Sequence, residues 1–145
     1  MTKVAILMGS ESDMEIMKKA GDILTENGVE NDIHVASAHR NPDRVREIVL
    51  DPSVDVFIAG AGMAAHLPGV IASLTTKPVI GVPINASMQG LDALLAIVQM
   101  PPGIPVATVA INGAKNAGIL AMQYLSLKDT NIRLKLEEMR QNSNK

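Results

Sequence analysis

An α/β protein built on one parallel sheet is the fold class that this sequence predicts, and three observations predict it. Five short apolar runs rich in β-branched residues alternate with stretches that carry apolar residues at helical spacing. Most of the runs are apolar throughout rather than alternating, as strands buried on both faces are. The connections between them are short and rich in Gly, Pro, Ser and Asn. At 145 residues the chain suits one domain burying about two thirds of its unfolded surface. Residues 1–126 read as its core and 127–145 as a C-terminal helix and tail.

Lys3 to Met8 reads as the first strand, ending in Gly9-Ser10. Ser12 and Glu15 then stand at the spacing of a capping box, and Met14, Met17, Gly21 and Leu24 share one helical face that Gly28 closes. Ile33 to Ala36 is the second strand, with His34 as a sheet-face residue. Asn41-Pro42 fits an N-cap followed by proline at the first helical position. On that helix Val45, Ile48 and Val49 face inward, while Arg44, Arg46 and Glu47 are solvated. Val54 to Ala59 is the third strand, Pro78 to Val82 the fourth and Val106 to Ile111 the fifth. Helices are expected after the Gly60–Gly69 loop, over Leu91–Gln99, and from Asn112 to about Leu125. Five such units predict helices on both faces of a sheet in flavodoxin-like (Rossmann-like) order 2-1-3-4-5, a three-layer arrangement. From Asp129 an extra helix carries Ile132, Leu136 and Met139 as its apolar stripe. It needs a surface to cover, with docking across a subunit boundary one way to supply it, and Gln141 to Lys145 is expected to fray.

Composition narrows the function. A net charge of −2 with scattered basic residues gives no footprint for a nucleic-acid backbone, and Phe57 and Tyr124, the only aromatics, provide no stacking platform. Without cysteine there is no disulfide or thiolate chemistry, which fits a reducing compartment. A strand so near the first residue leaves no room for a signal peptide, so a cytoplasmic protein is expected. Between Lys77 and Lys115 the only formal charge is Asp92. Pro83, Gly90, Pro101, Pro102, Gly103 and Pro105 cut that stretch into pieces too short to span a membrane. The segment Ala93 to Val98 therefore reads as packed on protein on more than one side, which predicts a homo-oligomer.

Chemistry is expected at the carboxyl ends of the strands, where an open α/β sheet carries its ligand crevice. Ser37-Ala38-His39-Arg40-Asn41-Pro42 lies at such a junction and sets an acid/base group beside an anion clamp. Taken alone, His39 is equally a loop imidazole satisfied by backbone. Gly9-Ser10-Glu11-Ser12-Asp13 is neither a Walker loop nor a dinucleotide fingerprint, yet its hydroxyls and free N–H groups suit a phosphate as well as a simple helix cap. Gly60 to Gly69, with three glycines and three alanines, allows close backbone approach to a ligand or close helix–sheet packing. His66 in that loop is a second acid/base candidate or an orienting group.

Together these three loops read Gly-Ser-x-Ser-Asp, Ser-Ala-His-Arg-x-Pro and Ala-Ala-His-Leu-Pro-Gly. With Gly81-Val82-Pro83, Gly90-Leu91-Asp92 and Val98-Gln99-Met100-Pro101, the chain resembles the N5-carboxyaminoimidazole ribonucleotide mutase family of purine biosynthesis over roughly Val4 to Leu125. This is the catalytic-subunit type of phosphoribosylaminoimidazole carboxylase, class I of the PurE family. The resemblance implies a cofactor-free and metal-free transfer of a carboxylate from the exocyclic nitrogen of an aminoimidazole ribonucleotide to ring carbon 4. It implies that His39 shuttles the proton and that Ser10, Asp13 and Arg40 bind the ribonucleotide. Gly9, Ser37, Gly62, Ala64, His66 and Leu67 would complete the substrate site, and the assembly would be an octamer. Met63 stands where the family's loop usually has glycine, Ala93 and Ala96 replace serines, and the Asn112 turn is about two residues shorter than usual. Ala65-His66-Leu67-Pro68 favours the mutase over relatives that carboxylate aminoimidazole ribonucleotide directly with CO2. From another class, a non-catalytic flavin- or nucleotide-binding module is the rival. It lacks an acidic ribose reader after the first loop and aromatics to flank a flavin.

Overall fold

The computed structural model describes residues 2–144. Five parallel strands form one sheet in the order β2-β1-β3-β4-β5. They are β1 (Lys3–Met8), β2 (Glu30–Val35), β3 (Val56–Gly62), β4 (Val79–Ile84) and β5 (Ala107–Thr108). The helices are α1 (Met14–Glu26), α2 (Pro42–Val49), α3 (Leu67–Leu74), α4 (Leu91–Val98), α5 (Ala114–Ser126) and α6 (Thr130–Ser143). The predicted flavodoxin-like order is the order found.

Alternation along the strands divides the interior into two cores. Val4, Ile6 and Met8 point with Ile58, Ile80 and Val82 to the face covered by α1, α5 and α6. Ala5 and Leu7 point with Phe57, Ala59 and Val79 to the face covered by α2, α3 and α4. Both sides of the central strands are thus dry, which is why they read as unbroken apolar runs. β2 lies at the edge and is half-exposed, so its pattern is mixed. There the Lys3 ammonium pairs with Asp32 at 2.6 Å, and His34 lies on the sheet with its pKa lowered by burial and by the Arg44 charge. α1 and α5 cross closely: a Cβ on Gly118 would stand 2.4 Å from Ile23 Cγ2.

Several boundaries differ from the sequence reading, each for a local reason. The capping box does not form. Ser10, not Ser12, accepts the Ser12 amide and caps a short 3-10 turn over Glu11–Asp13, from which α1 continues with Asp13 as its N-cap residue. Gly60, Ala61 and Gly62 continue β3 instead of opening a loop, paired with Val82, Pro83 and Ile84 of β4. Pro83 is tolerated within β4 because its nitrogen faces the same side as its carbonyl, which accepts the Asn112 amide at 2.7 Å, and β5 has already ended on that side, so no ladder bond needs its missing N–H. β5 is reduced to two residues. α6 holds helical form through Ser143, where fraying was expected from Gln141. Its Asp129 side chain accepts the amides of Asn131 and Ile132, Ile132 is buried, and Leu136 and Met139 pack on the α1/α5 core. The surface that α6 needed is therefore in its own chain.

Candidate active site

A cleft of about 510 Å³ opens at the carboxyl ends of β1, β2 and β3. β1 lies between β2 and β3, and the chain runs from β1 into α1 on one face of the sheet but from β3 into α3 on the other. The loops part at that point and leave a crevice. All ten residues singled out from the sequence line it: Gly9, Ser10 and Asp13 after β1, Ser37, His39 and Arg40 after β2, and Gly62, Ala64, His66 and Leu67 after β3.

Each loop is held by its own hydrogen bonds. The Ser37 hydroxyl accepts the backbone amides of His39 at 3.3 Å and Arg40 at 3.2 Å, and Asn41 caps α2 by accepting the Arg44 amide. These bonds turn the chain so that the His39 and Arg40 side chains both border the cleft. Arg40 Nη2 donates to the Gly9 carbonyl at 2.8 Å, which ties the second loop to the first. Ser10 and Ser12 hydroxyls lie 2.9 Å apart at the start of the 3-10 turn. Asp13, beside them, has its pKa raised by burial. Among the described residues no donor meets its carboxylate.

The third loop brings a histidine to a histidine. His66, the residue before α3, sets its Nδ1 2.7 Å from His39 Nε2, with the two rings edge to face. Both imidazoles are exposed to the cleft. Met63 and Ala65 in this loop have φ of +55° and +39°, the left-handed region that side chains other than glycine rarely enter. That geometry favours glycine at position 63.

Ala86, after β4, is a lining residue that the sequence reading missed. It completes the wall because Gly62 has no side chain: a Cβ there would lie 2.9 Å from the Ala86 Cβ. Asn112, with φ +61°, supports this wall by accepting the Asn85 amide at 3.0 Å. The Asn112-Gly113 pair was the available signal, since Asn-Gly marks left-handed turns. No cluster of three metal-ligating side chains occurs among the described residues. No helix among them is long and apolar enough to cross a membrane.

A family model described as AIR carboxylase matches residues 3–145. The chain belongs to the AIR carboxylase family. Within the family it is similar to the N5-carboxyaminoimidazole ribonucleotide mutase of Methanocaldococcus jannaschii, with 62% identity over 142 residues covering 98% of this chain and 90% of the relative. The mutase of Thermotoga maritima is 53% identical over 145 residues, covering 97% and 85%. The crystal structure of Treponema denticola PurE superposes with a TM-score of 0.88 at 31% identity, covering 99% of this chain and 93% of that one.

Proposed function

We propose that this member of the AIR carboxylase family is an N5-carboxyaminoimidazole ribonucleotide mutase, an isomerase of de novo purine biosynthesis. It moves the carboxylate from the exocyclic nitrogen to ring carbon 4 and yields 4-carboxy-5-aminoimidazole ribonucleotide. The observation that carries the reading is the meeting of His39, Arg40, the Ser10–Asp13 turn and the small-residue loop in one nucleotide-sized cleft, on a chain whose relatives bear the mutase name.

The chemistry follows from the residues. A carbamate loses CO2 readily once its nitrogen is protonated, so a positioned imidazolium at His39 starts the reaction. Held between the loop walls and the bound ribonucleotide, the CO2 stays beside ring carbon 4, which attacks it. Neutral His39 then removes the hydrogen from that carbon and restores aromaticity, so one residue serves as acid and as base. Arg40 offers a planar fork to the ribonucleotide phosphate, with Ser10 and the amides after Gly9 beside it. Asp13 and Ser37 border the ribonucleotide. Gly62, Ala64, His66 and Leu67 wall the CO2 pocket and hold the carboxylate through backbone N–H groups. The steps ask for no cofactor and no metal.

Turnover of the N5-carboxylated ribonucleotide, set against turnover of aminoimidazole ribonucleotide with bicarbonate, tests the assignment. Strong preference for the first supports it; equal efficiency with the second makes the enzyme a direct carboxylase, the lyase that is the runner-up. Flavin bound to the purified protein would instead revive the non-catalytic module.

Assembly belongs to the same reading. Leu91, Leu95 and Val98 recur at helical spacing on α4 and are 49%, 46% and 48% exposed, while Ala93 and Ile97 face the core. An apolar stripe of this kind is a surface for other copies of the chain, and an octamer is the state expected. Light scattering that finds a monomer overturns it. A charged nucleotide substrate fits a cytoplasmic setting.

A further inference from the structure

The contact between His39 and His66 dictates where protons sit. At 2.7 Å between His39 Nε2 and His66 Nδ1, one proton lies between the nitrogens, so one ring donates and the other accepts. Because the acceptor must keep a lone pair, the two rings cannot both be imidazolium while the contact persists. Proton transfer takes His39 through the imidazolium, which carries N–H on both nitrogens. In that state its Nε2 can only donate, and only the Nδ1 lone pair of a neutral His66 can accept. The arrangement that serves both states of His39 therefore keeps a proton on His39 Nε2 throughout, with His66 protonated at its own Nε2.

We propose that His66 is a positioning residue that locks His39 in this tautomer, making His39 Nδ1 the nitrogen that exchanges protons with the substrate. The 2.7 Å contact requires one donor and one acceptor; the choice of His39 as the donor rests on the mutase reading above. The imidazolium gives its Nδ1 proton to the exocyclic nitrogen. The bond from that nitrogen to the carboxylate carbon breaks, its electron pair stays on nitrogen, and CO2 is released. Ring carbon 4 then bonds to the CO2 carbon and loses its hydrogen as a proton to Nδ1. The proton on Nε2 stays in place, and the pair ends with the charge it began with.

A second proton on the pair would land on His66 Nδ1 and set N–H against N–H. The other charged side chains that line the cleft are Asp13, from the turn before α1, and Arg40, next to His39. α3 carries no charged residue, and the loop after β4 contributes only Ala86. A residue 66 that accepts without ionising should hold His39 Nε2 protonated in the same way.

The test combines nitrogen NMR of histidine-labelled full-length protein with pH profiles of the wild type, His66→Leu and His66→Asn. His66 is exposed and its side chain caps no amide of α3, so both variants retain the helix start. In the wild type, neutral His39 should carry its proton on Nε2. His66→Leu should mix the tautomers and lower kcat by about 10- to 100-fold, the range seen when a partner that orients a metal-bound imidazole is lost, with KM little changed. His66→Asn, whose side-chain oxygen reaches the same place, should restore most of kcat. A proton found on Nδ1 of neutral His39 overturns the proposal, as does a leucine variant with wild-type kcat and pH profile, or an asparagine variant no better than leucine. A wild-type protein that does not turn over the N5-carboxylated ribonucleotide refutes the mutase reading instead, and the NMR result still decides the tautomer.

Discussion

Arg40→Ala removes two functions of one side chain, and Arg40→Lys removes one, so the pair of variants separates them. The guanidinium spends one donor on the Gly9 carbonyl at 2.8 Å, and a guanidinium has five. The tie holds its plane beside the Ser10 turn and leaves the remaining donors for a phosphate. A hydrogen bond to a charged group is worth about 1.5–3 kcal/mol, so loss of the clamp should weaken ribonucleotide binding by about 10- to 150-fold. Lysine keeps the charge without the fork and should lie between alanine and the wild type. Isothermal titration with the ribonucleotide measures both. The ratio of wild type to alanine should narrow as salt rises, because the cleft is open to solvent and its charges are screened. Stability should change little, because the lost tie to Gly9 is exposed and water replaces the donor. An alanine variant that binds the ribonucleotide with wild-type affinity would refute the clamp. One that binds weakly but has also lost several kcal/mol in urea unfolding would show that Arg40 acts through the fold.

Three further outcomes are expected. His39→Asn should abolish turnover and leave ribonucleotide affinity largely intact, as read by titration beside a turnover assay, because the imidazole supplies proton transfer rather than most of the binding; near-normal turnover would remove His39 from the mechanism. Gly60→Ala should destabilise the protein by about 1–3 kcal/mol in urea unfolding, because the new Cβ would lie 2.3 Å from the Sδ of Met17, which is fully buried; unchanged stability would mean that α1 shifts freely. Burial raises the Asp13 pKa, so the folded state binds its proton more tightly than the unfolded state does. That contribution is complete below the unfolded carboxylate range and is lost as pH rises through the folded value, leaving an unpaired charge at neutral pH. Asp13→Asn should therefore melt higher than the wild type at pH 7, with the difference vanishing in acid. A melting difference independent of pH would refute this.

The sheet order was legible because burial on two faces leaves a strong mark: β1 after Lys3, β3 and β4 are apolar throughout, and Asn41-Pro42 and Gly28 mark helix ends by known chemistry. Strand ends were less legible, since glycine and proline signal turns only when no neighbour supplies a reason to keep them in a ladder. Gly60 and Gly62 stay in β3 because Met17 and Ala86 occupy the space that side chains would take, a tertiary fact no local pattern contains. The cleft residues were legible as a set because three loops with unusual wording fall at the same end of three strands. Ala86 was not, because alanine carries no chemical signal and matters there only as the surface opposite Gly62. The distance between His39 and His66 was also hidden, being set by the meeting of two loops 27 residues apart.

The same packing explains how a site loop with a methionine in left-handed backbone can still hold its place. Met63 is 59% exposed and its side chain needs no room in the core, so its cost is the left-handed backbone, roughly 1–2 kcal/mol for a residue with a Cβ. The residues that fix the loop lie on either side of it. Gly60 and Gly62 seat its start against Met17 and Ala86, the Ala65 amide returns to the Gly62 carbonyl at 3.0 Å, and Leu67, Pro68 and Ile71 bury the first turns of α3. With both ends anchored, the turn over Met63 to His66 is determined by its flanks, and a modest local strain does not displace it. The position of His66, and through it the orientation of His39, therefore depends on Gly60, Gly62 and Leu67 more than on the residue at 63, which is why a bulky side chain can occupy the rim of the cleft while the histidine pair beneath it keeps its contact.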